Sequence, residues 1–256
     1  MAAHPDSTPR NPVILIPARL ASTRLPDKPL ADIAGEPMIV HVWRRAMEAG
    51  LGPVYVACAE AVVAEAIEAV GGNAVMTDPA LPSGSDRIHA ALQCVDPDGA
   101  FDAVINIQGD SPTLDAALPR AAMAALDDPA VDIATIACPI TDDAERGDPN
   151  VVKAVVSAEP GAAHGRALYF TRAAAPGGAG PLYHHEGLYV YRRAALERFV
   201  TLPQSPLEKR ERLEQLRALE AGMRIEVVFV DSLPLGVNTP ADLEQARAAL
   251  GVGALI

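Results

Sequence analysis

Val13-Ile14-Leu15-Ile16, followed at once by Pro17-Ala18-Arg19-Leu20-Ala21-Ser22-Thr23-Arg24-Leu25-Pro26-Asp27-Lys28-Pro29, is the stretch that decides the architecture. Four consecutive apolar residues bounded by prolines suit a short strand buried on both faces, as parallel sheets require. The same kind of strand recurs outward from it, alternating with helical periodicity. Pro37 to Ala49 places Met38, Ile39, Val42, Trp43, Ala46 and Met47 on one helical face, with Pro37 at its start and Gly50 at its end. Val54 to Ala57 is the next strand, and Ala61 to Val70 the next helix, stopped by Gly71-Gly72. A strand at Ala74 to Met76, a helix from Ser85 to Val95, a strand at Ala103 to Ile107 and a helix through Ala125 complete the series. Strands and helices in that alternation predict an α/β fold with a mostly parallel, doubly wound central sheet.

The pattern changes at Asp132. Ile133 to Ile140, Val151 to Ser157, Ala167 to Thr171 and Gly187 to Arg192 read as extended segments, so a β-rich insertion is expected over about 132–192. Ala173 to Pro181 is a Gly/Ala/Pro loop with little to bury. A helix capped by Ser205-Pro206 and running to Ala221, a strand at Ile225 to Val230 and a helix begun by Thr239-Pro240 close the chain. The expected organisation is one domain over 12–256 carrying that insertion, with 1–11 as a loose tail.

Composition narrows the function. Half of the 256 residues are apolar, so a sizeable core is available. No apolar run approaches the ~20 residues of a membrane span, and the first residues lack a signal-peptide core, so a cytoplasmic protein is expected. Cys58, Cys94 and Cys138 have no metal-ligand spacing and read as free thiols. A net charge of −12 argues against a nucleic-acid surface. It does not exclude an anionic small molecule. Surface charges are screened over ~8 Å, whereas a cation about 5 Å from a phosphate gains roughly 3 kcal/mol at an effective dielectric of ~20.

Ligands of open parallel sheets bind beyond the carboxyl ends of the strands, and three loops fall there. The first, quoted above, sets three cations and two hydroxyls within ten residues, without GxGxxG or GxxxxGK[ST]. A solvated basic loop is the plain alternative, although three close cations repel one another unless an anion joins them. The second is Ser83-Gly84-Ser85-Asp86-Arg87 ahead of a helix, either a simple N-cap or a set of N–H groups for a base or phosphate. The third is Asn106-Ile107-Gln108-Gly109-Asp110-Ser111-Pro112, whose aspartate is either a turn residue or a ligand for Mg²⁺.

Taken together, these loops resemble the signature of the 3-deoxy-manno-octulosonate cytidylyltransferases. So do Asn150-Val151-Val152-Lys153, Ala167-Leu168-Tyr169-Phe170-Thr171-Arg172, Ser205-Pro206-Leu207-Glu208, Leu213-Glu214-Gln215-Leu216-Arg217 and Gly236-Val237-Asn238-Thr239-Pro240. The resemblance covers Val13 to Leu250 in order. It implies a Rossmann-like nucleotidyltransferase fold whose insertion helps form a homodimer. It also implies transfer of a cytidylyl group from CTP to 3-deoxy-manno-octulosonate (Kdo), releasing pyrophosphate, for lipopolysaccharide biosynthesis. By the same resemblance Ala18, Arg19, Ser22, Arg24 and Lys28 would hold the triphosphate. Ser83, Gly84, Ser85, Arg87 and Gln108 would line the nucleotide. Asp110 and Asn238 would face Mg²⁺. Gln108, Arg172, His185, Tyr189, Glu214 and Gln215 would hold the acid sugar, with Arg172 on its carboxylate.

Three positions depart from the family pattern. Asn238 stands where an aspartate is expected, Gly177 follows Pro176 where a tryptophan is expected, and Glu186 follows His185 where an apolar residue is usual. A related acidic sugar, either an amino variant or a sialic-type acid, remains an alternative substrate. A non-catalytic dimeric nucleotide-binding relative remains an alternative of a different class.

Overall fold

The apolar run Val13 to Ile16 is fully buried within a strand, β1, spanning Pro12–Ala18. The computed structural model describes residues 8–21 and 24–251; most of the expected N-terminal tail therefore lies outside the described residues. The chain divides into two compact units, one built on Asn11–Ala117 with the stretch from Pro234 onward, the other on Leu118–Leu233.

In the first unit β1 leads into a short hairpin, β2 (Asp32–Ile33) and β3 (Glu36–Pro37). It turns through Ala34 and Gly35, both at positive φ. Then follow α1 (Met38–Glu48), β4 (Val54–Cys58), α2 (Ala61–Glu68), β5 (Asn73–Met76), α3 (Gly84–Val95) and β6 (Ala103–Asn106). All the pairings among β1, β4, β5 and β6 are parallel: Ile14 lies opposite Val54, Val13 opposite Val104, and Val56 opposite Ala74. The resulting order is β5-β4-β1-β6. Met38, Ile39, Val42 and Ala46 form the buried stripe of α1, the spacing that an amphipathic helix needs. The chain's final helix, Pro240–Gly251, buries Leu243 and Ala246 with Ile33, Met38 and Val237. Gly109 must be glycine, since a Cβ there would stand 2.7 Å from the carbonyl oxygen of Pro17. That close approach lays the Asp110 loop against the end of β1.

The second unit contains α4 (Ala117–Ala124), β7 (Ile133–Pro139), α5 (Asp143–Gly147), β8 (Lys153–Ser157), β9 (His164–Thr171) and β10 (Tyr183–Arg192). After these come α6 (Arg193–Thr201), α7 (Pro206–Glu211), α8 (Leu216–Glu220) and β11 (Ile225–Phe229). The strand order is β10-β7-β11-β9-β8, with β10 pairing β8 as well, so the circuit of ladders closes on itself. Only β11 and β7 are parallel; β10–β7, β10–β8, β11–β9 and β8–β9 are antiparallel. Four of these strands come from the stretch 132–192.

Several boundaries differ from expectation. β9 starts three residues earlier, and β10 four residues earlier, than the sequence pattern indicates. Neither α5 nor α6 was among the expected elements. α5 buries none of its residues, and α6 starts directly off β10 with no side-chain cap, so both lack the periodicity or punctuation that marks a helix. The single helix expected from Ser205 to Ala221 is two helices, broken where Arg212 adopts φ 57°. The cause is a buried ion pair. Glu208 caps Ser205 N and accepts from Arg217 Nε at 2.8 Å. Nine residues along one continuous helix would separate these side chains by roughly 13 Å, so the turn is the condition for their pairing.

Candidate active site

A cleft of about 410 Å³ opens at the carboxyl ends of β1 and β6 in the first unit. It is lined by Ala18, Arg19, Arg24, Lys28, Ser83, Gly84, Arg87, Gln108 and Asp110, all anticipated from sequence, and by Pro17, Ala21, Pro29 and Gly109 of the same loops, which were not singled out as site residues. Ser85 is buried in the first turn of α3 and does not line it. Ser22 lies outside the described residues.

Lys28 holds the centre of this arrangement. Its Nζ donates to Asp110 Oδ2 at 2.7 Å, to the Val237 carbonyl at 3.0 Å and to Asn238 Oδ1 at 3.4 Å. Arg24 Nη2 also donates to Asn238 Oδ1, at 3.2 Å. The Asn238 amide oxygen is thereby aimed at Asp110's partner, while its backbone N–H is tied to Asp242 Oδ2. Three oxygens thus converge on one cationic point. Arg19 is exposed and forms no hydrogen bond among the described residues, which leaves its guanidinium available to a ligand.

Arg87 differs from these surface cations. It is 2% exposed, and Nη1 donates to Thr77 Oγ1 at 2.6 Å and to the Asp78 carbonyl at 3.3 Å. Its Nη2 is buried without a partner. Burial draws its pKa down, yet a guanidinium stays charged at any working pH. A buried cation with an open donor, on the wall of a cleft, suits an anionic or carbonyl-bearing ligand. Ser83 is committed to the helix cap: its Oγ accepts from Asp86 N and donates to Asp86 Oδ2.

The remaining anticipated residues lie in the second unit. His185 and Tyr189 sit on β10, with ring centroids 5.5 Å apart, and Phe170 meets His185 edge-on at 4.7 Å. The Glu186–Tyr189 stretch carries a bulge, and Thr135 Oγ1 lies 3.1 Å from the Glu186 carbonyl and 2.7 Å from that of Leu188. A hydroxyl has one proton to give. With carbonyls on that side, His185 Nε2, 3.0 Å away, donates to Thr135 Oγ1 and leaves Nδ1 as an acceptor. Glu214 and Gln215 lie in the turn between α7 and α8, not along a helix. Gln215 is buried and Glu214 half-buried. Burial, Tyr191, Glu214 and Glu186 raise the Tyr189 phenol well above its usual range, so it remains a donor. Arg172 is braced by its Nε to the Glu211 carbonyl at 3.1 Å and by Nη1 to the Pro149 carbonyl at 2.9 Å. Its Nη2 has no partner among the described residues. Glu186 alternates to the strand face opposite His185, and burial is the main cause, with Glu145 and Glu186, of the raised Cys138 thiol pKa.

Burial, with a smaller push from His184, brings the His185 pKa from 6.5 down to about 3. The unfolded chain therefore binds one more proton than the folded chain between those values, and stability rises with pH there. The contribution is complete above pH 6.5 and is lost as pH falls towards 3. We expect urea unfolding at pH 7, 6 and 5 to show a decline that His185→Gln flattens by up to ~1.4 kcal/mol per pH unit. Parallel declines in both proteins would mean that His185 is not buried neutral.

Comparison with known proteins places these observations among relatives. The profile of the family described as Cytidylyltransferase matches residues 13–225. A protein of Paramagnetospirillum magneticum named 3-deoxy-manno-octulosonate cytidylyltransferase is 64% identical over 239 residues, covering 93% of this chain and 97% of its own. One of the same name from Rhodospirillum centenum is 65% identical over 244 residues, covering 95% of each. Among solved structures, CMP:2-keto-3-deoxy-manno-octonic acid synthetase complexed with CTP superimposes with a TM-score of 0.86 at 39% identity, over 95% of this chain and 99% of that one. A 4-diphosphocytidyl-2C-methyl-D-erythritol synthase from Anaerococcus prevotii, at 12% identity and TM-score 0.62 over 94% of this chain and 99% of that one, shares the fold alone.

Proposed function

The chain belongs to the 3-deoxy-manno-octulosonate cytidylyltransferase family, and from that we propose that the cleft of the first unit seats CTP, while Arg172, His185, Tyr189, Glu214 and Gln215 of the second hold the acidic sugar. The enzyme is a cytidylyltransferase acting on CTP and Kdo. The sugar's anomeric hydroxyl attacks the α-phosphorus of CTP, a new P–O bond forms, the hydroxyl loses its proton and pyrophosphate leaves. Such a displacement asks for positioning and charge neutralisation more than covalent help. The single observation that carries the reading is the set of cations lining the cleft: Arg19 and Arg24 exposed, Arg87 buried with Nη2 open, and Lys28 paired with Asp110. His185, held neutral, supplies an acceptor to a sugar hydroxyl, not a charge to its carboxylate.

Magnesium fits the donor set. The Asp110 carboxylate, Asn238 amide and Val237 carbonyl are hard oxygens gathered within 3.4 Å of one cationic nitrogen, and oxygen is what Mg²⁺ takes. Among the described residues no three His, Cys, Asp or Glu side chains cluster to hold an ion, so CTP's phosphates would complete the coordination. When bound, Mg²⁺ would offset charge on the phosphates. Asp110 and Asn238 would hold it, and Lys28 would turn from them to the triphosphate. The same reading makes the protein a homodimer acting in the cytoplasm; a mass in solution twice that of the chain checks the first. Among the described residues no helix is long and apolar enough to cross a membrane.

Pyrophosphate release with CTP, Kdo and Mg²⁺ tests the reading, and its absence would favour a nucleotide-binding relative without catalysis. Within that assay, Asn238→Asp should lower the Mg²⁺ needed for half-maximal rate several-fold. A second anion at contact distance strengthens the Coulomb attraction that the neutral amide lacks. Superimposable titrations with equal plateaus would take Asn238 out of the metal site.

A further inference from the structure

Lys153 takes no part in the reaction as described, yet it is 0% exposed. It sits in an apolar run, Val151-Val152-Lys153-Ala154-Val155, where an aliphatic side chain would be the ordinary occupant. Removing an ammonium from water is costly unless it is paired and hydrogen-bonded. Among the described residues this one has no carboxylate within ion-pair distance. Its Nζ donates to two backbone carbonyls, Asp148 at 2.6 Å and Val151 at 2.8 Å. Burial draws its pKa down, opposed by the more distant charges of Asp148 and Glu145.

What those carbonyls belong to explains the expense. Both belong to the turn from Asp148 to Val152. Within that turn the Pro149 carbonyl accepts from Arg172 Nη1 at 2.9 Å, and the Val152 carbonyl accepts from His185 N at 2.8 Å. Lys153 itself lies on β8 between the strands concerned, opposite Thr171 of β9 and opposite His184 of β10. One buried ammonium therefore sets a turn that touches two of the residues assigned to the acid sugar, from strands on both sides. We propose that Lys153 is a positioning residue for acid-sugar binding: it holds the Asp148–Val152 turn in the shape that braces Arg172 and seats His185. The inference rests on the reading that Arg172 meets the sugar's carboxylate.

The test is steady-state kinetics on the full-length enzyme with four variants: Lys153→Met, Arg172→Ala, the two combined, and Pro149→Gly. Lys153→Met should raise the KM for Kdo about tenfold while kcat and the KM for CTP stay within about twofold. Because Lys153 acts through Arg172 as well as through His185, the double variant should fall well short of the product of the two single effects. Pro149→Gly loosens the same turn from its surface without altering the core. It should also raise the KM for Kdo selectively, and it keeps the test open should Lys153→Met fail to fold. An unchanged KM for Kdo in both Lys153→Met and Pro149→Gly would overturn the proposal. So would multiplying effects in the double variant, or a joint fall in kcat and in both substrate affinities with a lowered melting temperature, the mark of a merely structural lysine. Should Arg172→Ala itself leave the KM for Kdo unchanged, the sugar-site reading fails first, and the proposal falls with it.

Discussion

Lys28→Ala should lower kcat/KM by about 100-fold or more while the protein still folds, with its melting temperature within roughly 4 °C of the parent. The two halves of that expectation have separate causes. Lys28 Nζ lies at the meeting point of Asp110, Val237 and Asn238 in the cleft wall, where the proposed CTP site would need charge offset as pyrophosphate departs. Removing one such preorganised donor typically costs 10²–10³ in rate. The structural cost is smaller because the Lys28 and Asp110 side chains remain 17% and 27% exposed, so water replaces the lost ammonium. A partly exposed pair of this kind is worth about 1 kcal/mol, which moves the melting temperature of a chain this size by only a few degrees. Turnover by Lys28→Ala within about twofold of the parent, with a normal melt, would remove Lys28 from the site.

Arg172→Ala should raise the KM for Kdo roughly 10- to 100-fold and that for CTP less than about twofold. A charge-assisted contact to a carboxylate contributes ~1.5–3 kcal/mol, and each 1.4 kcal/mol is tenfold. The braced geometry favours a large effect: Nε and Nη1 are already committed to the Glu211 and Pro149 carbonyls, so little side-chain freedom is left to lose on binding. Glu211 adds to the brace through its carboxylate, which accepts from Arg172 N and from Thr171 Oγ1. A collapse of CTP affinity alone would mean that the two substrates had been assigned to the wrong residues.

The parallel strands and their loops were legible because a strand buried on both faces writes itself as a run of Val, Ile and Leu. The cations after β1, the cap before α3 and Asp110 after β6 each lie within one short loop of the sequence, so each declares itself locally. The later half was less legible. α5 has no apolar stripe and α6 no punctuation. The break after α7 depends on Glu208 finding Arg217, a long-range pair that no window of local propensity contains. Glu211 and Thr135, which brace Arg172 and His185, carried no signal in their own neighbourhoods. Lys153 did carry one, a lone lysine in an apolar strand, but nothing local says what it holds.

By itself, then, the sequence determined the α/β alternation, the three loops at the strand ends and the identity of the cleft-lining cations, because periodicity and loop position follow from backbone geometry. Tertiary structure alone decided which of those groups are spoken for: Ser85 by burial, Lys28 by Asp110 and Asn238, Arg172 by two carbonyls, and His185 as a neutral ring. Those outcomes depend on distance and desolvation between residues up to 210 positions apart, as with Lys28 and Asn238, and such separations enter the energy only once the chain has closed on itself.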